Sequence, residues 1–177
     1  FGEYCRRQDQ HREAEIAALL DAPRFIERAS GIYGYDNFIC DTSGSICEVV
    51  NADDPADPVM KSLSQNLLPV WIEGSPEHRA ELIRRFDRAP KPMYYQPDFL
   101  SQVWAEYLAQ EGKPATLVDP DAFLRFGYAR LLEHRVPRYR AMAQWGVTIT
   151  AAEVAEIKNQ PDLITLIAAA IDRKAQG

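Results

Sequence analysis

Two short apolar runs, each closed by an acidic residue and a turn of small residues, constrain this chain most. They are Asn37-Phe38-Ile39-Cys40 before Asp41-Thr42-Ser43-Gly44-Ser45, and Leu67-Leu68-Pro69-Val70-Trp71-Ile72 before Glu73-Gly74-Ser75. Neither run alternates apolar with polar residues, so each reads as a strand covered on both faces, as parallel strands under helices are. Pro69 has no N–H for a ladder and confines the second strand to the later half of its run. Two strands make no stable sheet of their own. Further strands are therefore expected from a partner chain or from an upstream segment. The second is simpler, because residues 1–20 already read as the inside of a long helix, and the chain is expected to be a fragment.

The remainder reads as helix. Residues 3–20 carry an apolar stripe at Tyr4, Ile16, Leu19 and Leu20 among charged positions. Asp21 is placed to cap a second helix that ends at Gly31 or Gly34. Residues 51–58, with Asp53, Asp54, Asp57 and two prolines, read as a solvated loop before a short helix from Pro58. Ser75-Pro76-Glu77-His78 has the form of a helix start, and that helix stops by Pro90. Beyond Pro97, apolar spacing predicts helices over 98–111, 119–134 and 138–145. Thr150 or Thr148 would cap a helix over 151–158, and Pro161 opens the last helix. The fold class expected is α/β, predominantly helical with few short parallel strands. Residues 1–97 would form a core with an arginine-bearing helix, and residues 98–177 a helical region packed on it.

Charge and length narrow the function. Among 177 residues, 20 Lys and Arg face 26 Asp and Glu, a net charge of −6 that argues against a chain built mainly to hold nucleic acid. The longest uncharged apolar stretch, Leu163 to Ile171, falls far short of the roughly 20 residues that span a bilayer. Cys5, Cys40 and Cys47 are odd in number and follow no signal-like segment, so the chain reads as cytoplasmic without a disulfide framework. Their spacing with His11, His78 and His134 fits no zinc pattern.

The chemistry suggested by the residues is phosphoryl transfer. A carboxylate at a strand end can hold Mg²⁺ or its waters, and cations on a mobile helix can neutralise a transferring phosphate. Asp41 is the candidate carboxylate, and Arg79, Arg84, Arg85, Arg88 and Lys91 follow the second strand. This order resembles the Walker B strand, the next core strand and the lid of P-loop kinases. More closely, residues 33–48 (Tyr-Gly-Tyr-Asp-Asn-Phe-Ile-Cys-Asp-Thr-Ser-Gly-Ser-Ile-Cys-Glu) and 84–97 (Arg-Arg-Phe-Asp-Arg-Ala-Pro-Lys-Pro-Met-Tyr-Tyr-Gln-Pro) resemble a family of alphaproteobacterial P-loop ATPases. The resemblance runs over nearly the whole chain. It implies a three-layer P-loop kinase-like fold with residues 1–97 as the later part of the nucleotide core and its lid. It further implies ATP and Mg as cofactors, Asp41 as metal-associated carboxylate, Arg84, Arg85 and Arg88 as catalytic cations, and Thr42, Ser43 and Lys91 as nucleotide contacts. No Gly-x-x-x-x-Gly-Lys-Ser/Thr occurs; Gly112-Lys113 lacks the upstream glycine and is followed by Pro114. The chain alone is therefore expected to lack the phosphate cradle and to be inactive.

Plainer readings stand beside these. Asp41 with Thr42-Ser43-Gly44 can simply stop a strand through side-chain to backbone bonds, and arginines at a helix C-terminus are favoured by the helix dipole. Ser43 and Ser45 lack the Gly-x-Ser-x-Gly spacing and read as hydroxyl donors or an anion-binding turn. A second basic cluster, Arg125, Arg130, Arg135, Arg138 and Arg140 with His134, Phe126, Tyr128 and Tyr139, has the mixture of a single-stranded nucleic-acid site. Core packing is the better account of its aromatics. The rival to the nucleotide enzyme is a non-catalytic helical module that docks on a protein partner or on its own copy.

Overall fold

The computed structural model describes residues 2–176. In chain order these form α1 (Gly2–Leu20), α2 (Ala22–Tyr33), α3 (Ile46–Val49), α4 (Pro58–Asn66), β1 (Val70–Glu73), α5 (Pro76–Arg88), α6 (Pro97–Glu111), a 3-10 turn (Ala115–Leu117), α7 (Pro120–Ala143), β2 (Val147–Thr150), α8 (Ala151–Ala155) and α9 (Gln160–Gln176). Among the described residues the fold is mostly helical with one parallel strand pair, β1 with β2, in the register Val70↔Val147 to Glu73↔Thr150.

Several helix ends follow the sequence. Gly34 closes α2 in the left-handed conformation at φ 65°; its N–H bonds the Ser30 carbonyl and that of Tyr35 bonds Ala29. Asp57 caps α4 by accepting from the N–H groups of Val59 (3.0 Å) and Met60 (2.8 Å). Its second oxygen takes the N–H of Asn51 (2.8 Å), so within the loop read as solvated this carboxylate is buried. Asp21, by contrast, makes no side-chain cap and sits in helical conformation between α1 and α2.

The strand expected at Asn37–Cys40 does not form. The segment is irregular, with Ile39 84% exposed. A strand exists only through a ladder partner, and among the described residues none pairs with it. The second strand of the sheet lies instead at Val147–Thr150, a β-branched, alternating run that the sequence reading treated as the approach to a cap. Thr150 does both: it ends β2 and caps α8 reciprocally with Glu153. The helices expected over 119–134 and 138–145 are one helix, α7, with Pro137 inside it.

The chain forms two compact units, residues 1–73 with 138–177, and residues 74–137. In the first, α1 packs on α3 and α4, and α2 on α4. Val147 and Ile149 of β2 bury against Ala170 of α9, with Val154 and Leu166 packed beside them. The sheet is closely spaced at its entry: Val147 N–H bonds the Pro69 carbonyl at 2.9 Å, and a Cβ on Gly146 would lie 1.9 Å from that oxygen. The second unit is an aromatic core. Phe86 of α5 stacks on Tyr128 of α7 at 3.9 Å, and Phe123 meets Trp104 and Tyr107 of α6 edge-on. The buried Arg135 donates to the Tyr94 carbonyl at 2.9 Å, satisfying part of its charge with a backbone dipole.

Candidate functional site

Asp41, Thr42 and Ser43 lie together in one turn of the first unit. Asp41 Oδ1 accepts the Ser43 N–H at 2.9 Å, the side-chain to backbone bond expected of an Asp two residues ahead. Ser43 has φ 55°, and is the one non-glycine residue with positive φ among the described residues. Such a conformation costs a serine about 1–3 kcal/mol and persists where its surroundings hold it. Here they do. The Gly44 carbonyl accepts from the Tyr139 hydroxyl at 2.8 Å and from Cys47 Sγ at 3.3 Å. Arg138 donates to the Cys47 carbonyl (3.3 Å) and Trp145 Nε1 to that of Ala52 (2.8 Å). The end of α7 and the residues after it thus fasten the backbone over 44–52.

Beneath the turn runs a chain of hydroxyls. Ser43 Oγ lies 2.8 Å from Ser45 Oγ, and Ser45 donates to Glu15 Oε1 of α1 at 2.7 Å. The Glu15 side chain is 13% exposed, and its Oε2 lies 3.5 Å from His11 Nε2. The sequence points to Ser43 and Ser45 but not to Glu15, and it singles out His11 only as a zinc candidate whose spacing does not fit. Thirty residues separate Glu15 from Ser45, and a glutamate on a charged helix face carries no signal of that contact. Beside the turn, burial and then the Asp41 charge push the Cys40 thiol up, which disfavours its thiolate.

The arginines and Lys91 belong to the second unit. Ser75 and His78 cap α5 reciprocally: Ser75 Oγ accepts the His78 N–H (3.3 Å), and His78 Nδ1 accepts the Ser75 N–H (3.1 Å). Arg84 grips Glu81 with two bonds of 2.6 Å, and Arg85 adds one of 2.7 Å. The two guanidinium groups hold the Glu81 carboxyl down at about 2. One carboxylate therefore offsets part of both cations. Arg88, in the last turn of α5, and Lys91, in the irregular segment after it, make no hydrogen bond or ion pair among the described residues.

The second basic cluster is taken up structurally. Arg125 donates to the Asp87 carbonyl (3.2 Å), Arg130 pairs with Glu106 (3.0 Å) and lies 3.5 Å over the Phe126 ring, and Arg135 is buried. Arg138 bonds the Cys47 carbonyl, and Arg140 reaches Glu73 at 3.7 Å. Among the described residues no group of three or more His, Cys, Asp or Glu side chains could hold a metal. Asp41 offers a single carboxylate with Oδ1 already accepting a backbone N–H. That donor set suits a cation held mainly by phosphate and water oxygens, as Mg²⁺ is in nucleotide sites.

Compared with family models, curated proteins and solved structures, the chain matches none.

Proposed function

We propose that this chain is the later part of a P-loop ATPase or kinase-like phosphotransferase that binds ATP with Mg²⁺. The observation that carries the reading is the parallel pairing of β1 with β2. Open parallel sheets place their ligands at the carboxyl ends of the strands, and β1 runs from its carboxyl end through Gly74 and Ser75 into the arginine-bearing α5. Bound Mg²⁺ would offset charge on the transferring phosphate. On the first unit Asp41 would orient its waters and Thr42 and Ser43 would donate hydroxyls; on the second, Arg88 and Lys91 carry charge for phosphate oxygens, ahead of Arg84 and Arg85, which Glu81 partly neutralises.

The test uses the complete product of the coding region. ATP with Mg²⁺ at 100 times its Kd should stabilise the native state by about 2.7 kcal/mol, read as a rise in Tm. Asp41→Ala should cut turnover at unchanged circular dichroism. No rise in Tm at saturating nucleotide would sink the reading.

A different observation favours the rival, a non-catalytic docking module. Phe25, Ile32, Tyr33, Tyr35 and Ile39 in the first unit are each more than half exposed, and Ile72 on β1 is 52% exposed. Exposed apolar side chains, and strands with no further ladder partner among the described residues, suit a protein partner. Under that reading nucleotide leaves Tm unchanged.

A further inference from the structure

We propose that Ser43 is an activated nucleophile, with Ser45 and Glu15 as its proton relay, and that it reacts with neutral carboxylic esters. The inference stands apart from the nucleotide reading and needs no ATP. Four observations converge on it. Ser43 stands exposed in a turn, at φ 55°, between an irregular segment and the short helix α3. Ser45 spends its proton on Glu15 (2.7 Å), so in the 2.8 Å contact between the two serines Ser43 is the donor. The Gly44 N–H, next along from the nucleophile, has no acceptor among the described residues and is the backbone group that an oxyanion at this position requires. Tyr139 and Cys47, both bonded to the Gly44 carbonyl, fix that peptide group.

The step balances. Ser43 Oγ forms a bond to the ester carbonyl carbon while its proton passes to Ser45 Oγ and the Ser45 proton passes to Glu15 Oε1. The carbonyl oxygen takes the electron pair and becomes the oxyanion. Collapse expels the alkoxide, which recovers the proton from Glu15 through Ser45 and leaves as the alcohol. Water then releases the acid from acyl-Ser43 by the same relay in reverse. The neutral substrate class follows from charge: the Asp41 carboxylate, bonded to the Ser43 N–H, and the Glu15 carboxylate behind Ser45 both repel an anionic phosphate ester that no cation accompanies.

An alkyl fluorophosphonate is the probe, since it forms a phosphorus–oxygen bond to an activated serine and releases fluoride with the hydroxyl proton. The chain should take one label, located on Ser43 by peptide mass mapping, with none in Ser43→Ala. Glu15→Gln, which keeps the shape of the side chain, and Ser45→Ala should each slow labelling at least tenfold, while Ser45→Thr restores it. Absence of label on wild-type Ser43 overturns the proposal outright. Labelling at the wild-type rate in folded Glu15→Gln overturns the relay.

Discussion

Glu81 accepts from both Arg84 and Arg85, and so decides how much of the charge on α5 is available to a ligand. Because its carboxyl is depressed to about 2 from an ordinary 4.5, its contribution to the native helix is complete above the ordinary value and is lost as pH falls from there to about 2. The pairs are solvent-exposed, so the effect on stability is small. A carbon-13 titration of the Glu81 carboxyl should have its midpoint near 2; a midpoint at the ordinary value would show that the pairs do not persist in solution. Under the nucleotide reading, Glu81→Gln frees two cations and should tighten ATP binding roughly two- to fivefold, the equivalent of one surface ion pair. Of the residues in the turn, Asp41, Ser43 and Ser45 were legible from their polar, small-residue composition. Glu15 was not, since its contact depends on how α1 packs, and local sequence carries no record of packing between distant elements.

Among the elements, α5 was legible because its start depends on adjacent residues. Ser75→Ala should cost about 1 kcal/mol, whereas His78→Gln, which keeps a side-chain acceptor three residues on, should cost less; urea denaturation distinguishes them. The sheet was half legible. The four-residue runs at Asn37–Cys40 and Val70–Glu73, each with three apolar residues, look alike, and only the second finds a ladder partner among the described residues. That partner, Val147–Thr150, announced itself by β-branched alternation, but the capping function of Thr150 masked the strand. The joining of two expected helices into α7 has a similar cause. Pro137 lacks the N–H for its own helical bond, and local propensity therefore predicts a break there. Gly146 supplies the sharpest test of the pairing. Gly146→Ala puts a methyl 1.9 Å from the Pro69 carbonyl oxygen, and should destabilise the chain by about 1–3 kcal/mol with loss of amide protection in β1 and β2.

Across the whole molecule, charge and apolar exposure are unevenly shared. The second unit carries nine basic and nine acidic residues, so the net charge of −6 falls on the first. That same unit carries the exposed Phe25, Ile32, Tyr33, Tyr35 and Ile39. Its apolar side chains should bind the dye ANS, and Ile39→Lys should reduce the fluorescence and any concentration-dependent self-association seen by sedimentation. Persistence of both in Ile39→Lys would place the sticky surface elsewhere. The parallel register of Val70 with Val147 also bears on how the protein is made. At the usual ribosomal rate of about 5–20 residues per second, roughly 4–15 seconds separate the synthesis of β1 from that of its partner. During that interval an apolar strand waits in the growing chain with its ladder unmade, while the intervening residues emerge as a unit able to gather its own aromatic core. The newborn chain is thus most exposed to wrong partners and most in need of a holding chaperone between those two moments of translation.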